Sequence, residues 1–133
     1  MLELAVVLPV LILLAIGVMD YGRVYFTSIA VANAARAAAE YGTAMTGNQN
    51  NTANIQGMGL LDGAEAGTMT ITPVTTCRCG ATTVTCSGTI CAGYGVPRVY
   101  VQVTATKAVV LILKYPGIRD TVTISRTATF RLQ

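Results

Sequence analysis

The sequence contains no histidine. That absence removes the commonest general base, the commonest catalytic metal ligand and the axial ligand of a c-type haem, so an enzymatic role is not expected. Charge is scarce as well: acidic and basic side chains make up 11% of the 133 residues, against about 25% in an average soluble domain. The cations are scattered from Arg23 to Arg131 without a basic run, and this excludes the usual footprint of a nucleic-acid binder. The four cysteines include no C-x-x-C pair, which weakens a zinc or iron–sulfur reading, and no cofactor or metal is expected. The length fits a single domain with one core.

What is present in quantity is apolar surface, at 53% hydrophobic residues. The chain opens MLELAVVLPVLILLAIGVMDYGR, in which the sixteen residues from Leu4 to Met19 carry no charge. As a helix they span roughly 24 Å, short of the ~30 Å hydrocarbon core of a bilayer. The run is preceded by an acid, Glu3, where a cleavable signal peptide has a basic region, so the segment reads as retained. The helical pattern continues past Asp20 through an alanine-rich stretch, with Tyr21, Val24, Tyr25, Ser28, Val31, Ala32 and Ala35 recurring at helical spacing. One helix is expected from Leu2 to Tyr41, stopped by Gly42 and kinked or locally unwound at Pro9. Asp20 and Arg23, three residues apart, read as a solvated or intra-helical pair.

Beyond the helix, Thr46 to Thr52 is polar and turn-forming, and Ala53 to Ala66 reads as a short helix capped by Asn51 or Thr52, although Gly57, Gly59 and Gly63 count against it. After Gly67 the period changes to two. Met69 and Ile71, then Val99 to Ala105, then Val122 to Leu132, alternate with threonines and other polar residues, as half-buried antiparallel strands do. Lys114 to Asp120 is expected to be the turn between the last two strands. Ala108 to Leu113 is apolar on both faces, which places it under the helix or against another chain.

Cys77, Cys79, Cys86 and Cys91 are even in number and clustered, the pattern of two disulfides formed in an oxidising space. Cys77 and Cys79 should share one face of a strand. Of the three connectivities the nested one is expected, Cys79 with Cys86 inside Cys77 with Cys91, stapling a hairpin that turns near Gly80 to Thr83. The fold expected is α+β: a long N-terminal helix over residues 1–42, with 1–19 as the membrane or filament-core segment, a polar connection over 43–67, and a small disulfide-stapled antiparallel sheet over 68–133 packed on the second half of the helix.

Among the remaining polar residues, Asp62 and Glu65 read as a wet helix face. Asn50-Asn51-Thr52 matches the N-glycosylation pattern, for which chance is the default in a loop so rich in Asn and Thr. Glu3 is sharper. An unpaired carboxylate beside a membrane-depth apolar run costs about 2.5 kcal/mol or more, so it either marks the interface or finds a positive partner.

Glu3 to Leu11, Gly17 to Arg23, and Asn33-Ala34-Ala35-Arg36 followed by Tyr41 resemble the TadE/TadG-like family, pilin-like proteins of tight-adherence (Tad, or Flp) pili within the type IV pilin superfamily. The resemblance implies synthesis with a basic leader removed by a prepilin peptidase. It also implies a mature helix that enters a membrane or filament core; the partners expected are identical subunits in a helical filament, the inner membrane before assembly and the pilus assembly machinery, with co-assembly of minor pilins left open. It gives Glu3 the role of compensating the amino terminus of an adjacent subunit. The residues themselves add Pro9, for adapting the helix when lipid is exchanged for protein, and Asp20 and Arg23, at the boundary between apolar core and outer domain, as further candidate assembly residues. A basic leader would also remove a conflict of topology, since positive-inside logic applied to Arg23 alone puts the cysteines in a reducing cytoplasm. The function expected is that of a structural subunit of an extracellular filament for surface attachment, with an inner-membrane pool before assembly. The alternatives are a minor, tip or priming pilin, and a single-span envelope domain that binds a partner without polymerising.

Overall fold

The computed structural model describes residues 2–87, 90–93, 95–113, 117 and 119–132, with the side chains of residues 2, 3 and 5 outside the description. Helix α1 runs from Leu2 to Ala44, and α2 from Thr52 to Asp62. A four-stranded sheet follows, made of β1 (Thr70–Cys79), β2 (Thr82–Val84), β3 (Arg98–Val110) and β4 (Thr121–Arg131) in the spatial order β2-β1-β3-β4, with every neighbouring pair antiparallel. The fold is α+β, as the change of period from 3.6 to 2 implies.

Helix α1 outlasts its expected stop. Gly42 lies inside it because a Cβ at that position would come within 2.9 Å of the Val101 side chain and 3.2 Å of Ile55. Packing demands the glycine, and the helix ends two residues later at Ala44. At Pro9 the helix is continuous, so no turn melts there. The ring removes a single backbone bond, to the carbonyl of residue 5 near the helix start, where little cooperative structure depends on it.

The buried stripe of α1 is Asp20, Val31, Ala34, Ala35, Ala38 and Ala39, with Val24 half-buried beside it. Tyr21 and Tyr25, expected on the same stripe, face solvent instead. Small residues bring the helix axis close to the sheet, where Val101, Val103, Ala105 and Val109 of β3 and Ile124 of β4 complete the core. Helix α2, capped by the Asn51 side chain accepting from the Asn54 N–H at 3.2 Å, packs on the flank of α1. Gly59 permits that approach, since a Cβ there would sit 3.1 Å from both the Ala34 carbonyl oxygen and the Ala38 methyl. The glycine that weakens α2 in isolation is thus what seats it.

The sheet's far face carries Thr70, Thr72 and Thr76 of β1, Thr104 and Thr106 of β3, and Ser125, Thr127 and Thr129 of β4, by the alternation of the paired register. Hydroxyls meet across strands, Thr104 with Thr127 at 3.1 Å and Thr106 with Ser125 at 3.4 Å.

The disulfides are Cys77–Cys86 and Cys79–Cys91, with Cα separations of 5.1 and 5.4 Å, which corrects the nested pairing. The register supplies the reason. Gly80, at φ 62°, makes a two-residue turn, so Cys79 lies opposite Thr82 and Cys77 opposite Val84. Cys86 is then two residues beyond the partner of Cys77 but four beyond that of Cys79, about 13 Å along an extended strand and out of disulfide reach. Cys77 and Cys79 do share the helix-facing side of β1. All four cysteines are engaged in these two disulfides.

Of the Ala108–Leu113 stretch, only part lies under the helix. Val109 is buried, but Val110 and Ile112 are exposed, with no cover from an element among the described residues. Strand β3 ends at Val110, and the chain then turns toward α1. Of the expected turn that follows, Lys114, Tyr115, Pro116 and Ile118 lie outside the described residues.

Candidate functional site

The apolar half of α1 extends away from the sheet. Each large side chain described from Leu4 to Leu14 is at least half exposed. A helix that is apolar all round is stable only inside lipid or inside protein, and the described residues supply no cover for it. By length and composition α1 qualifies as a membrane-crossing helix. Pro9 lies on this exposed half, and the Glu3 side chain is outside the described residues.

Asp20 marks where the bare helix meets the folded domain. Its carboxylate is only 4% exposed. Oδ1 accepts a hydrogen bond from the Ile112 N–H at 2.9 Å, and Oδ2 accepts one from the Leu113 N–H at 3.3 Å. The Arg23 guanidinium stands 4.0 Å from Oδ1 and is largely exposed. The intra-helical pair therefore exists at the limit of contact, while the expectation of a solvated Asp20 is corrected: its main partners are two backbone amides. Those amides lie beyond the end of β3, where the strand ladder no longer satisfies them. A charge-assisted bond of this kind contributes about 1.5–3 kcal/mol.

Two cations of the sheet make further polar ties that the sequence reading did not anticipate, one to α1 and one to the segment leading into β1. Arg126 faces α1 and donates to Ser28 Oγ from Nε at 3.2 Å and from Nη2 at 2.7 Å. Lys107 Nζ donates to the Thr68 carbonyl at 2.7 Å. The strand alternation could have flagged both, since each cation falls on the apolar side of its strand. Asp62 and Glu65 are exposed and flank a shallow hollow with Asn33 and Phe26. Asn50 is exposed, while Asn51 is occupied as the cap of α2.

Taken together, the arrangement offers a long apolar rod, a polar latch at its base and a rigid stapled head. It is built to be embedded at one end. The family model described as TadE-like protein matches residues 1–40.

That TadE-like segment covers the apolar half of α1, the Asp20 latch and most of the alanine stripe, and it stops short of the sheet. Glu3, Pro9, Asp20 and Arg23 all fall within it. No curated protein and no solved structure matches the chain. A TadE-like segment with an N-terminal apolar helix fits a membrane-anchored or pilus-associated protein.

Proposed function

We propose that this chain is a structural, non-catalytic pilin-like subunit that polymerises through the apolar half of α1 into an extracellular Tad-like filament used for surface attachment. The observation that carries the reading is the exposure of every large side chain described from Leu4 to Leu14. At about 1.5–3 kcal/mol for each large side chain fully buried, leaving these side chains in water outside the membrane would cost on the order of 10 kcal/mol per chain, which burial among neighbouring copies avoids once the rod has left the lipid. The contact is heterologous, between the same rod on successive copies at different heights, and such contacts build open helical polymers. Before assembly the rod resides in the inner membrane. Assembly machinery then extracts it, minor pilins join the polymer, and the threonine-lined sheet face is left outward.

In this reading Glu3 compensates the amino terminus of an adjacent copy, which a carboxylate in an apolar surround requires. The test is negative-stain microscopy of the full-length chain and of Glu3→Ala after assembly. Wild-type fibres with none from the variant support the reading. Normal fibres from Glu3→Ala remove the pairing role, and single particles from the wild type leave a membrane-anchored domain that binds without polymerising.

A further inference from the structure

The apolar run of α1 is too short for a bilayer by sequence, yet the apolar surface of the folded chain does not stop where the run does. Asp20 is the first charge after Glu3, and its carboxylate is turned inward onto the Ile112 and Leu113 amides. What the surface presents at that level is Met19, Tyr21, Tyr25 and Phe26, all exposed. The rings of Tyr21 and Tyr25 lie 6.5 Å apart, and those of Tyr25 and Phe26 lie 6.1 Å apart. From the sheet side, Ile112 is 54% exposed, and Val110, at the same end of β3 but on its threonine-lined face, is 63% exposed. Ile112 borders a groove with Met19, Gly22 and Phe26, and Arg23 reaches out beside it.

We infer that this collar is a lipid-contact surface, seated at the boundary between headgroups and acyl chains of a phospholipid bilayer while the helix is in the membrane. It rests on the reading that the first half of α1 has a membrane pool. Continuity chooses the occupant: the collar is the unbroken extension of the surface from Leu4 to Met19, so a bilayer that takes up the rod meets the collar next. Counting to Phe26, the apolar face lengthens to about 35 Å, which removes the mismatch. Its chemistry is that of an interface, with tyrosines at the headgroup level and an arginine able to extend to phosphate.

The Asp20 latch has a reason in this setting. Bare backbone N–H groups cost several kcal/mol each in hydrocarbon, and residues 112 and 113 have left the strand ladder. Accepting from both amides, Asp20 stabilises its own charge and satisfies their two donors together. A sheet corner can then touch lipid without exposing main-chain donors.

The chain has no tryptophan, so single-tryptophan variants report depth without background. Ile112→Trp, Val110→Trp, Leu13→Trp and Thr129→Trp of the full chain are each placed in phosphatidylcholine–phosphatidylglycerol vesicles containing lipids brominated either near the headgroup or deep in the tail. The expected result is that Leu13→Trp is quenched by both lipids. Ile112→Trp and Val110→Trp, two substitutions at exposed positions, are quenched more by the shallow bromines than by the deep ones, with blue-shifted emission. Thr129→Trp, on the far sheet face, is quenched only by aqueous iodide. If both collar variants behave like Thr129→Trp while Leu13→Trp is quenched, the collar is wet and this inference alone falls. Should Leu13→Trp escape quenching too, the membrane reading falls with it. Protection of the collar tryptophans from iodide only in assembled fibres would reassign the surface to a second copy and likewise overturn the inference.

Discussion

The Asp20 carboxylate holds the Ile112 N–H at 2.9 Å across 92 positions of sequence. With the Leu113 N–H on the other oxygen at 3.3 Å, the bond fixes the end of β3 to the middle of α1, at the level where the bare rod begins. Asp20→Ala leaves both amides without their acceptor. The expected loss is about 1–3 kcal/mol, read as a lower thermal midpoint of the detergent-solubilised chain by circular dichroism, with Asn in place of Asp intermediate because one acceptor oxygen survives. Amide hydrogen exchange gives the local check: residues 112 and 113 should exchange faster in the alanine variant while the β1–β3 ladder keeps its protection.

Two glycines of the same helix should respond to alanine with opposite signs. Gly22 has nothing within 4 Å of the position a Cβ would take, so Gly22→Ala removes unfolded-state freedom at no steric cost and should stabilise by about 0.5–1 kcal/mol. Gly42→Ala drives a methyl toward Val101 and Ile55 and should destabilise by about 1–3 kcal/mol through overpacking. Thermal unfolding of the two variants side by side measures both. Equal shifts would mean that α1 does not sit as close to β3 as described.

The disulfide map is checked by mass. Cleavage after Arg78 separates Cys77 from Cys79, and further cuts between Cys79 and Cys86 and between Cys86 and Cys91 isolate each cysteine. Peptide pairs joining Cys77 to Cys86 and Cys79 to Cys91 are expected, in a chain four hydrogens lighter than its reduced form. A Cys77–Cys91 pair would restore the nested arrangement and place the β1–β2 turn elsewhere.

Much of this architecture is readable from the residues because it follows from local pattern. The helix announces itself by an apolar run that passes into alanines, and the strands by their alternation with threonine. What escapes is set by distant partners. Gly42 reads as a stop because its neighbours Val101 and Ile55 are invisible in sequence. Asp20 reads as the mate of Arg23 because its true acceptor role involves backbone amides, which every residue possesses. Cys86 is as near to Cys79 in sequence as a hairpin needs, and only the position of the Gly80 turn decides for Cys77. Six apolar residues in a row read as buried under the helix or against another chain, and sequence alone does not say that the strand ends among them, with Val109 under the helix and Val110 and Ile112 exposed.

Of the candidate site, the rod was legible and its collar was not. Tyr21 and Tyr25 fit the helical period that Val24 and Val31 follow, but the buried stripe is rotated toward Asp20 and the alanines. The pull comes from small residues, which permit closer packing than rings do and so decide which side of α1 the sheet takes.

The central claim is that copies of this chain bury residues 4–19 of α1 among themselves. Helical reconstruction of the assembled material by electron cryomicroscopy addresses it most directly. The account predicts a fibre whose axis is a bundle of α1 apolar halves, with the stapled sheets arrayed outside and their threonine faces toward solvent. A preparation that yields only single particles, or a fibre whose apolar halves lie outside the core, would contradict it.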